Sequence, residues 1–93
     1  MDFSYQEDEL VEVLEDTTST DLKQLIVYND DFNTFEHVTS TLIKVCKHTT
    51  EQAEQCTWLV HHTGKCSVKR GTFTTLKPMQ EGISDKGISV EII

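Results

Sequence analysis

Ninety-three residues allow one domain at most, and the chain carries neither an apolar run of roughly 18 residues nor a signal-peptide core. Asp2, Glu7, Asp8, Glu9, Glu12, Glu15, Asp16 and Asp21 make up 8 of the 16 acids with no Lys or Arg among them, whereas the 8 remaining acids are balanced by 8 bases, so the net charge of −8 sits on the leader. The lack of an apolar or signal segment points to a soluble cytoplasmic protein, and the charge balance points away from nucleic acid or an anionic membrane, because phosphate recognition needs clustered Lys or Arg. Residues 1–21, closing on the Thr- and Ser-rich TTSTD, read as a flexible acidic extension, in which Leu10, Val11, Val13 and Leu14 could line a short helix only against a partner. The folded part, 22–93, has a thin core for its size.

Leu22 to Tyr28 is dense in branched and aromatic residues and predicts a strand. Asn33 and Glu36 have the form of a capping box, and Phe35, Val38, Leu42, Val45 and Cys46 then recur at helical intervals up to Lys47. A second capping box, Thr49 and Gln52, opens a helix from Thr50 to about Thr63 that Gly64 stops, with Ala53, Cys56, Val60 and Trp58 as its apolar positions. Lys65 to Arg70 alternates as a short strand, and Thr72 can cap a third helix from Phe73. Pro78 predicts a kink, or a turn over Phe73 to Leu76 with the regular helix starting near Pro78 and Gly87 closing it. Ile88, Val90 and Ile92 alternate with polar Ser89 and Glu91 in a last strand. The order β-α-α-β-α-β predicts a small two-layer α+β sandwich, a three-stranded antiparallel sheet with three helices on one face.

Between the first strand and the first helix, Asn29, Asp30 and Asp31 place an amide and two carboxylates within three residues. That is ordinary turn chemistry, and equally a way to fix ligand-binding groups on a rigid frame. His61 borders the packed face of the second helix, where it can either interact with the last carbonyls or face the Asn29 corner. Cys46, Cys56 and Cys66 are odd in number and lack Cys-x-x-Cys spacing, which favours reduced thiols buried as small hydrophobes. No phosphate-binding lysine loop, nucleophile elbow or His-Glu-x-x-His pair is present. An enzyme or metal site would have to rest on Cys56, Cys66, His61 and His62, whose spacing is not that of a structural zinc module. The expectation is a protein with no catalytic residues, no metal and no cofactor.

YNDDFNTFEHV, Leu42 and Lys44 after it, EQAEQCTWLVHHTGKC with its Val-His-x-x-Gly-Lys, and the apolar C-terminal strand together resemble the ClpS family over Leu22 to Ile93. The resemblance implies an adaptor that binds free, bulky hydrophobic N-terminal residues and delivers their bearers to a Clp AAA+ unfoldase of ClpA or ClpC type, docking on its N-terminal domain. It implies that Asn29, Asp30 and His61 receive the α-amine, and that Asn33, Phe35, Val38, Thr57, Val60 and Ile88 wall the side-chain pocket. A monomer is the default for so small an adaptor, and the extension is implied to take part in delivery. Asn33 and Thr34 stand where Thr-Pro is usual in the family, Phe35 and Thr57 where Met is usual, and Thr74 and Met79 where an acid and a base dock on the unfoldase. A Clp-interacting or general protein-binding domain with an altered or lost pocket is the alternative.

Overall fold

A computed structural model describes residues 21–93. The expected flexible extension therefore lies, Asp21 apart, outside the described residues. Three strands and three helices follow in the predicted order: β1 (Lys23–Tyr28), α1 (Phe35–Cys46), α2 (Thr50–Thr63), β2 (Lys65–Gly71), α3 (Phe73–Ser84) and β3 (Val90–Ile92).

β1 is the central strand of an antiparallel sheet ordered β2-β1-β3, pairing Tyr28 with Lys65 on one side and Val27 with Val90 on the other. Strand alternation sends Leu25 and Val27 into the core, where both are fully buried with Leu42, Leu76 and Ile83. A register shift opposite Leu25 and Ile26 leaves Val68 as the extra residue of β2. Its side chain is buried, and its carbonyl accepts from His48 Nε2 at 2.8 Å, which ties the α1–α2 connection to the sheet.

The second capping box forms in both directions: Gln52 N–H donates to Thr49 Oγ1, and Thr49 N–H to Gln52 Oε1, each at 3.1 Å. Gly64 ends α2 at φ 99°, its N–H bonding to the Val60 carbonyl at 3.1 Å.

Several local expectations are corrected. Thr34, not Asn33, caps α1, accepting from His37 N–H at 3.1 Å, because Asn33 is engaged elsewhere. Pro78 neither breaks nor delays α3, which begins at Phe73 and runs through it. The carbonyl that Pro78 leaves without its helical donor belongs to exposed Thr74, where water can serve it. That helix also ends at Ser84 rather than near Gly87, which sits at φ 80° in the following turn, and β3 is confined to Val90–Ile92. On α2 the buried positions are Ala53, Thr57 and Val60; Cys56 is half-buried and Trp58 points outward, 52% exposed.

Candidate functional site

Three backbone or side-chain ties hold the corner after β1 against the rest of the domain. Tyr28 N–H donates to the Ser89 carbonyl and Asn29 N–H to the Gly64 carbonyl, both at 2.9 Å, and Asn33 Nδ2 donates to the Gly87 carbonyl at 3.0 Å. The second of these ties joins the corner to the end of α2, and so brings Asn29 and Asp30 beside His61. Tyr28, Asn29, Asp30, Asn33, Val38, Val60, His61 and Ile88 line one narrow cleft, packed too closely to hold a water molecule.

Asp30 organises this corner. Its Oδ1 accepts from the Phe32 and Asn33 amides at 2.9 and 3.0 Å and from Asn33 Nδ2 at 3.0 Å. Oδ2 accepts from Asn33 Nδ2 at 2.8 Å and retains room for a further donor. Partial desolvation pushes the carboxyl pKa up, yet the Phe32 and Asn33 donors, joined by the His61 charge when that ring is protonated, outweigh it, so that Asp30 lies below its ordinary value of 3.8. Asp30 is thus an anion fixed in direction.

His61 has a defined orientation too. Its Nδ1 lies 3.1 Å from the Thr57 carbonyl, which can only accept, so Nδ1 carries the proton and Nε2 of the neutral ring is left as an acceptor. The Phe35 ring packs against it, centroid to centroid 5.7 Å at 41°. One carboxylate, one imidazole nitrogen and the amide of exposed Asn29 therefore share a cleft whose remaining wall includes buried Val38, Val60 and Ile88. Such a set suits a cation carried beside an apolar group.

The structure brings seven of the nine residues singled out in sequence to this cleft: Asn29, Asp30, His61, Asn33, Val38, Val60 and Ile88. Phe35 stands at its margin through the His61 contact, and Thr57 is fully buried in a hydroxyl relay in which Thr39 donates to Thr57 and Thr57 to the Ala53 carbonyl, at 2.9 and 2.8 Å. Asn33 lines the cleft through a side chain committed to Asp30 and Gly87. Tyr28 was missed, although its place as the last strand residue before Asn29 put it at the corner. Among the described residues no three His, Cys, Asp or Glu side chains gather as metal ligands, and no helix is long and apolar enough to cross a membrane.

Comparison with known proteins decides the family, since the family model described as ATP-dependent Clp protease adaptor protein ClpS matches residues 18–90. The chain belongs to the ClpS family. A ClpS described as an ATP-dependent Clp protease adapter protein, from Thermosynechococcus vestitus, is 44% identical over 46 residues, which span 48% of this chain and 49% of that protein. The match thus covers about half the length of that curated relative. In fold, the ClpS-family chain is similar to Agrobacterium tumefaciens ClpS2, solved bound to L-phenylalaninamide, at a TM-score of 0.65 and 15% identity over 77% of this chain and 94% of that one.

Proposed function

We propose that this chain is a non-catalytic Clp protease adaptor that binds proteins through a free, bulky hydrophobic N-terminal residue. The observation that carries the proposal is the cleft in which Asp30, Asn29 and His61 adjoin Val38, Val60 and Ile88. An α-ammonium has three donors and one charge. Asp30 Oδ2 offers the complementary charge and an open acceptor position, His61 Nε2 offers a lone pair on the neutral ring, and Asn29 offers its side-chain carbonyl. The first side chain would enter between α1, α2 and Ile88 by parting these closely packed walls, with Asn33, Phe35 and Thr57 setting how large it can be.

Each charge-assisted hydrogen bond contributes roughly 1.5–3 kcal/mol, and burial of the side chain about as much again. After the cost of ordering a peptide terminus, micromolar affinity follows, and neither half of the recognition suffices alone. Agrobacterium tumefaciens ClpS2 with its L-phenylalaninamide supports this reading, since that ligand pairs a free amine with an aromatic side chain. The adaptor would act in the cytoplasm as a monomer, and exposed Thr74 and half-buried Met79 on α3 would meet the N-terminal domain of the Clp AAA+ unfoldase.

Calorimetric titration of a Phe-initiated peptide against its N-acetylated copy tests the proposal. The free amine should bind in the micromolar range and the acetylated copy should not bind measurably. Equal affinities would sink amine recognition; capture of a Clp unfoldase with no peptide binding would mark a Clp-interacting domain whose pocket no longer works.

A further inference from the structure

Two side chains at the start of α1 reach one turn, the turn that leads into β3. Asn33 Nδ2 donates to the Gly87 carbonyl at 3.0 Å, and one helical turn further on half-buried His37 places Nε2 2.9 Å from the Lys86 carbonyl. A carbonyl only accepts, so Nε2 carries a proton here whether the ring is neutral or charged. Within the turn, the Lys86 and Gly87 N–H groups donate to the Ile83 and Ser84 carbonyls at 3.0 and 2.9 Å, and Gly87 sits at φ 80°. Ile88 follows at once, 4% exposed in the wall of the cleft. Beyond it the Ser89 carbonyl accepts from Tyr28 N–H at 2.9 Å. Ile88 is thus bracketed, by the sheet on one side and by the two ties to α1 on the other.

The cleft admits no water, so a first side chain enters only when a wall gives way. Val38 and Val60 lie on long helices in the close-packed core, where displacement disturbs many neighbours. Ile88 belongs to the same core, but Asp85, Lys86, Gly87 and Ser89 around it are all exposed, so opening that short turn lifts it out. We propose that His37 is a positioning residue for the side-chain pocket: through the Lys86 carbonyl it latches the turn that carries Ile88, and the latch disfavours aromatic first residues relative to Leu. The inference rests on the proposed recognition of a free N-terminal residue. Leu displaces Ile88 little and leaves both ties in place, whereas Phe or Trp displaces it far enough to part His37 from Lys86. Water then serves the exposed carbonyl, so the penalty is modest and falls on the larger side chains.

The test measures calorimetric affinities of peptides that differ only in a first residue of Leu, Phe or Trp, each with an N-acetylated copy. His37→Ala removes the donor, His37→Leu removes it while keeping a bulky side chain in place, and His37→Gln restores an N–H donor of similar reach. Both variants without the donor should bind the Phe and Trp peptides roughly three- to tenfold better relative to the Leu peptide, and His37→Gln should keep the parent ratio. Amide exchange at Lys86 and Gly87, followed without peptide, should quicken in the same two variants and not in His37→Gln. A changed ratio in His37→Ala alone would assign the effect to side-chain volume and overturn the latch. A lower melting temperature with an unchanged ratio would make His37 a structural residue and overturn it too, while amine recognition stands as long as free peptides outbind acetylated ones. Equal binding of free and acetylated copies, or no binding of any, overturns amine recognition and this inference with it.

Discussion

Asn33 holds Asp30 by both oxygens. Its side-chain amide donates to Oδ1 at 3.0 Å and to Oδ2 at 2.8 Å, and also to the Gly87 carbonyl at 3.0 Å, so that one side chain fastens the anion of the site to the turn before β3. Asn33→Ala should remove this bridge, lower stability by about 1–3 kcal/mol and leave the cleft wider. Binding of aromatic first residues should then gain relative to Leu, even though overall affinity falls because Asp30 is less well directed. Urea denaturation measures the first effect and paired titrations with Phe- and Leu-initiated peptides the second; unchanged selectivity would show that Asn33 acts on Asp30 alone.

Acid should destabilise the fold through Asp30. Desolvation acts to raise its pKa, but the Phe32 and Asn33 donors and His61 win, and the folded value lies below the ordinary 3.8. A depressed carboxyl contributes stability that is fully present above its unfolded value and is lost as pH falls through the folded one. Melting temperatures followed downward from about pH 5 should therefore fall more steeply for the parent than for Asp30→Asn. Parallel curves would mean that the Asp30 charge does not contribute to stability.

Local chemistry made most of the fold legible, and distance in sequence hid most of what was misread. Thr49 with Gln52, and Gly64 after them, complete their bonds within a few residues, so α2 could be delimited from neighbours alone. Asn33 has the type and spacing of a helix cap, but its partners include Gly87, 54 positions away, and no local rule sees that carbonyl compete for the amide. Pro78 was misjudged for a related reason: its cost depends on whether Thr74 faces water or the core. At the site, Asn29, Asp30 and His61 were legible as residue types, whereas their meeting depends on the Asn29 to Gly64 bond between two elements. Thr57 was placed in the pocket wall by family position, and it is the Thr39 to Thr57 to Ala53 relay that keeps it buried.

The thiols should be slow to react. Burial raises Cys46 to about 11, and burial followed by the adjacent Cys56 raises Cys66 to about 12. Near pH 8 only on the order of one Cys46 in a thousand, and fewer of Cys66, would be thiolate, the form that attacks an alkylating reagent. Iodoacetamide labelling read by mass spectrometry should modify both far more slowly in the native protein than in denaturant. Native labelling as fast as the denatured rate would contradict thiols held protonated, Cys46 by full burial and half-buried Cys66 by partial burial beside Cys56.

Gly82→Ala sets two effects of similar size against each other. Alanine in place of glycine inside α3 favours the helix by about 1 kcal/mol. The added Cβ, however, would lie 3.2 Å from Val45 Cγ1 and 3.3 Å from Cγ2, across the contact between α3 and α1. Val45 cannot swing away cheaply, because a branched side chain in a helix has one strongly preferred rotamer, and forcing a methyl into a packed contact costs about 1–3 kcal/mol. Overpacking should win, with a net loss of about 1 kcal/mol and a melting temperature lower by roughly 4–8 °C for a domain of this size. Val45→Ala makes the cause identifiable: combined with Gly82→Ala it should be less destabilising than the sum of the two single changes. A higher melting temperature for Gly82→Ala would mean that α1 and α3 separate readily, and that helix propensity decides the outcome at this crossing.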